Sequence, residues 1–114
     1  MAFANDWEAL GKAERKARLE AAIGETLDRL ESKTTSPTDW QKSKILHAID
    51  STARGLFDVA ATNLTQVFAE TLVGRPFQNP DTEPGELDGV TIAKMRSELD
   101  RLKTLPVQDP PDYL

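Results

Sequence analysis

The chain has 114 residues, of which 39% are hydrophobic and 29% charged, so it has material for one domain with one modest core and not the composition of a wholly disordered protein. It lacks cysteine, which removes disulfides, thiolate metal sites and cysteine nucleophiles, and no apolar run approaches the roughly 18 residues of a membrane span. The net charge of −5 argues against a nucleic-acid partner, and its excess is C-terminal, with eight acids against five bases in residues 75–114.

Met1-Ala2-Phe3-Ala4-Asn5-Asp6 has neither the basic nor the apolar region of a signal peptide, so a cytoplasmic location is expected. Asn5 and Glu8 have capping-box spacing and open a first helix, 6–31. Its apolar residues fall on two faces: Trp7, Leu10, Ala13 and Ala17 on one, and Leu19, Ile23, Leu27 and Leu30 roughly 140° away. Either the helix is interrupted near Gly11 or its halves face different neighbours, and in both cases Trp7 is a candidate to reach another chain. Lys12, Arg15, Lys16 and Arg18 crowd together. With Glu14 and Glu20 interleaved, they read as a solvated helix face rather than an anion site.

A short polar connection, 32–37, leads to the dominant element. Ser36-Pro37-Thr38-Asp39 is a helix start, Gly74-Arg75-Pro76 a stop, and no proline lies between. The spacing predicts one central helix over 38–73. Ile45, Leu46, Ile49, Ala53, Leu56, Phe57, Ala60, Leu64, Val67 and Phe68 form a stripe roughly 140° wide, too wide for a two-stranded seam and suited to a bundle. Such a helix is about 54 Å long at 1.5 Å per residue, so the protein is elongated unless the helix bends, for which Gly55 is the natural place. The short connection predicts that the first helix folds back on the central helix's N-terminal half, with Trp40 capping the hairpin end.

The segment 74–88 has three prolines and an acidic run, Asp81, Glu83, Glu86 and Asp88, and reads as a loop pinned by Phe77. A third helix follows over 89–103. Ile92, Met95, Leu99 and Leu102 give a 3-4-3 seam, expected to cover Leu64, Val67 and Phe68. The tail 106–114 is proline-rich and acidic. Its Pro110-Pro111-Asp112-Tyr113 matches the short pattern that WW domains bind, a weak signal beside the plainer reading of an extended tail.

The expectation is therefore an all-α fold: a long helical hairpin plus a shorter third helix, an elongated three-helix bundle occupying 1–105. Two half-covered faces of the central helix call for a partner or a second copy of the chain, and a homodimer is expected. His47 is the only histidine, and no phosphate loop, nucleophile elbow or Glu-x-x-His pair exists, so no enzyme, cofactor or metal is expected. The first functional expectation is a non-catalytic protein–protein interaction protein (adaptor, assembly chaperone or phage-type accessory factor). Its contact residues would be Trp7, Leu56, Leu64, Phe68, Asp81, Glu83, Glu86 and Tyr113. The alternatives are an acidic inhibitor that blocks a basic nucleic-acid-binding site on another protein, and a phosphorelay-type protein using His47.

Overall fold

A computed structural model describes residues 6–32, 37–73 and 89–109, and leaves out the side chains of 68–73. Among the described residues there are four α-helices and no strand: α1 (Lys12–Glu31), α2 (Asp39–Ala53), α3 (Phe57–Val73) and α4 (Ile92–Thr104), preceded by a 3-10 turn, Trp7–Ala9. The loop 74–88, with Phe77, and the end of the tail, 110–114, lie outside them.

The N-terminal interruption falls where Gly11 stands. Leu10 is extended (φ −81°, ψ 143°) and Gly11 is the N-cap of α1. The turn therefore folds back instead of continuing the helix, which corrects the expectation of one element from residue 6. Trp7 goes inward. It is 7% exposed, its indole N–H donates to Asp58 Oδ1 at 2.7 Å, and the Arg15 guanidinium stacks 5.1 Å from the ring centre. A bidentate Arg18–Asp6 pair (2.6 and 3.1 Å) ties the same turn to α1. Arg18, by hydrogen bonding, holds the Asp6 carboxyl below its ordinary pKa, and its own is raised in return. Trp7 is thus a core residue, not one available to another chain. Along α1 the second apolar set does the packing: Leu19, Ile23, Leu27 and Leu30 are all buried.

α2 starts where predicted. Thr38 and Gln41 form a reciprocal capping box: Thr38 Oγ1 accepts from Gln41 N (3.1 Å), and Gln41 Oε1 accepts from Thr38 N (2.9 Å). Trp40 is buried beside it. The predicted helix over 38–73 does not run through. Gly55 adopts φ +82°, Gly55 N–H bonds to Thr52 O at 3.2 Å and Leu56 N–H to Ser51 O at 2.8 Å. That pair of bonds is a Schellman stop, which needs a left-handed residue where only glycine sits without strain. The chain reverses there and α3 packs on α2. The radius of gyration is 13.9 Å and the extents are 36 × 27 × 26 Å, against about 13 Å for a globular domain of this length, so the elongated shape is replaced by a compact one.

The break also changes what covers what. α2 is buried on most sides, by α1, α3 and α4, and even Ser51 and Thr52 are inside. Thr52 Oγ1 satisfies itself by donating to Ala48 O at 2.7 Å. α4 keeps its predicted seam, with Met95, Leu99 and Leu102 buried, but it packs on α1 and α2, not over Leu64 and Val67 as expected. It runs antiparallel to α1. Arg96 pairs with Asp28 (2.7 Å) and Glu31 (3.5 Å) near the end of α1, while Leu102 O accepts from Lys16 Nζ (3.1 Å) near its start. Lys16 is 6% exposed, and its charge is met by Glu20 at 2.7 Å and by the carbonyl end of α4, where a cation is favoured. The four basic residues clustered in the first half of α1 are accordingly structural ties rather than an open face: Lys12 pairs with Asp109, Arg15 with the Trp7 turn, Lys16 with Glu20 and α4, Arg18 with Asp6.

Candidate interaction groove

The apolar stripe of the central segment was the predicted contact surface, and folding at Gly55 consumes most of it. Ile45, Ala60, Leu64 and Val67 are fully buried, and Phe57 nearly so. Leu64 is inside the core. Leu56 is half-buried immediately after the α2 stop. Trp7, Leu56 and Leu64 therefore do not share one accessible face. The Phe68 side chain and Asp81, Glu83, Glu86 and Tyr113 lie outside the described residues. His47 is exposed on α2.

What stays partly open is the part of the stripe on α2 that faces α4. Leu46, Ile49 and Ala53 are spaced 3 and 4 residues apart and so align along one side of α2. With Leu102 at the end of α4 and Leu105 just beyond, they form the apolar floor of a groove of about 150 Å³. Its rim carries Asp50, Glu98 and Arg101. Leu46, Ala53 and Leu105 are half-buried, so the floor is reachable from outside. A volume of about 150 Å³ is that of one benzene-sized group.

The rim charges are arranged by helix spacing. Asp50 pairs with Arg54 (3.3 Å), and Glu98 lies between Lys94 (3.6 Å) and Arg101 (3.5 Å). Glu98 is half-buried and its partners, like the Asp50–Arg54 pair, are exposed, so these pairs are easily exchanged for others. Chemically the groove can take an aliphatic or aromatic side chain and offer carboxylates to a cation beside it. Among the described residues no group of three His, Cys, Asp or Glu side chains could hold a metal ion, and no helix is long and apolar enough to cross a membrane.

Periodicity places Leu46, Ile49 and Ala53 in the central stripe and Leu102 in the seam of the third helix, without singling them out as a site. What joins them is the packing of α4 on α2, for which spacing along either helix carries no signal. Among the described residues the exposed large apolar side chains, Val59 on α3 and Val107 in the tail, stand singly, as is ordinary for a protein surface. No family model, curated protein or solved structure matches this chain.

Proposed function

We propose that the chain is a non-catalytic protein–protein interaction protein, an adaptor, assembly chaperone or phage-type accessory factor, that acts through the α2–α4 groove. The observation that supports this reading is the groove itself: Leu46, Ala53 and Leu105, half-buried and reachable from outside, lie beside the buried Ile49 and Leu102 to make one continuous apolar floor between two helices. The occupant it fits is a partner segment that presents one aliphatic or aromatic side chain with a lysine or arginine next to it. The apolar group fills the floor, and the cation meets Asp50 and Glu98 on the rim. A second copy of the chain is the homodimeric version of the same contact.

The test compares Leu46→Glu with Val59→Glu, which places the same charge on an exposed site of α3. Light scattering reports self-association, and affinity capture with each variant reports foreign partners. The expected result is that Leu46→Glu alone abolishes whichever association the parent shows, while His47→Ala leaves it intact. A folded Leu46→Glu variant that keeps every association, or a loss caused by His47→Ala alone, overturns the reading.

A further inference from the structure

We propose that residues 105–109 form a strap that closes one end of the α2–α4 groove, seated on Gly55 and latched by Lys12. The proposal rests on the groove reading above. Three observations converge on it. First, α4 stops at Thr104, Leu105 turns extended (φ −85°, ψ 147°), and its side chain becomes part of the groove's lining. Second, the backbone of the same segment crosses the α2–α3 turn at the glycine. A Cβ built on Gly55 would lie 2.7 Å from Gln108 O and 2.8 Å from Asp109 C and O, so the strap occupies the space that any other residue would fill. Third, Asp109 pairs with Lys12 in the first turn of α1, which draws the far end of the strap across to another helix.

The path explains the function. Ala53 lines the groove and Gly55 lies two residues further along the chain. A segment running from Leu105 to a seat on Gly55 therefore passes along the edge of the groove. It leaves α4 at Thr104, with Leu105 N–H bonded to Leu102 O at 3.0 Å and the Leu105 side chain only partly buried against the core. At its far end the tie is an ion pair with both side chains largely in solvent, 53% and 80% exposed. Pairs of that kind are weak and sensitive to salt. A strap held in this way swings about its α4 end when the latch lets go. The half-buried Leu105 then withdraws from the groove and the floor opens to a larger apolar group.

The chain has no cysteine, so a single thiol can report this motion. Leu105→Cys is made in the parent, in Lys12→Glu, and in the charge-exchanged Lys12→Glu/Asp109→Lys. Maleimide labelling is followed under native conditions, with circular dichroism confirming the fold. Lys12→Glu should raise the labelling rate about two- to fivefold, the equivalent of an exposed ion pair, and the exchange should bring it back. Ala48→Cys, at a fully buried position, is the control for global opening and should not change. Equal Leu105→Cys rates in all three backgrounds overturn the proposal, and so does an equal rise at Ala48→Cys. A second readout needs no thiol: the Gly55 amide resonance should shift in Lys12→Glu and return in the exchange. Labelling answers for the strap and Leu46→Glu binding for the groove, so failure of one is distinguishable from failure of the other.

Discussion

Gly55→Ala is the most informative single substitution in this chain, because two separable costs meet at one atom. The first is conformational. At φ +82° an alanine sits in the left-handed region, at a cost of about 1–2 kcal/mol. The second is steric, because the new Cβ would fall 2.7–2.8 Å from the backbone of Gln108 and Asp109. That segment is latched by an exposed pair worth about 0.2–1 kcal/mol, so it gives way before the core does, and the steric cost is limited to roughly that amount. The expected total loss is about 1.5–3 kcal/mol, which lowers the urea midpoint by about 1 M for a slope of 1–3 kcal/mol/M. Fluorescence of the buried Trp7 and Trp40 follows the transition. The same substitution in a chain ending at Val107, which lacks the clashing atoms, should cost less by the steric share. A loss below about 0.5 kcal/mol in the full chain would refute the left-handed stop, since an ordinary surface change costs no more. Equal losses in both chains would refute the seat of the strap. Small-angle scattering adds a check on shape, for if alanine fused α2 and α3 into one rod of about 54 Å, the radius of gyration would rise well above 13.9 Å.

Other expectations follow from single contacts. Lys16→Met should destabilise by about 1–3 kcal/mol in urea melts, because it leaves Glu20, only 16% exposed at its side chain, without its cation; Lys16→Met/Glu20→Gln should recover part of that loss. Trp7→Phe keeps the ring buried but loses the bond to Asp58, for about 1 kcal/mol, whereas Trp7→Ala should cost about 3–5 kcal/mol. Asp6 has a folded pKa below its unfolded one, so its contribution is present above the unfolded value and is lost as pH falls through the folded one. Thermal melts of the parent and Asp6→Asn should therefore differ at neutral pH and converge in acid, and a difference that persists in strong acid would contradict the Arg18–Asp6 tie. Leu64→Ala, at a fully buried site, should cost about 2–5 kcal/mol, with far smaller effects for Thr62→Ala on the exposed side of α3.

Much of the secondary structure was legible because it is written locally. Ser36-Pro37-Thr38-Asp39 announces the start of α2, Gly11 interrupts the first segment, and Ile92, Met95, Leu99 and Leu102 mark the packed face of α4. The division of the central segment was not legible by periodicity. Ile45 and Ile49 on one side of Gly55, and Ala60, Leu64 and Val67 on the other, keep the same phase, so a continuous helix fits them as well as two. The usable signal is a glycine followed at once by Leu56, the C-terminal pattern of a Schellman stop, and it outweighs the phase. Trp7 was misplaced for a different reason. Its partner Asp58 is 51 residues away, and a fold-back at Leu10 cannot be told by angle from a helix with two faces. The groove needed the packing of α4 on α2, a tertiary fact that follows only once the Gly55 reversal is known.

The buried tie between Lys16 and the carbonyl of Leu102 has a consequence for how the chain comes into being. It joins positions 86 residues apart, and the Arg96–Asp28 pair joins positions 68 apart. The α2–α3 corner, by contrast, closes within a few residues of Gly55 and can assemble early, whereas the α1–α4 pairing must wait for these long loops to close. During synthesis α1 emerges well before its eventual companion, α4. For that interval Leu19, Ile23, Leu27 and Leu30 have only α2 and α3 to shelter them, so the nascent chain is most exposed to aggregation and to chaperones just before α4 clears the ribosome.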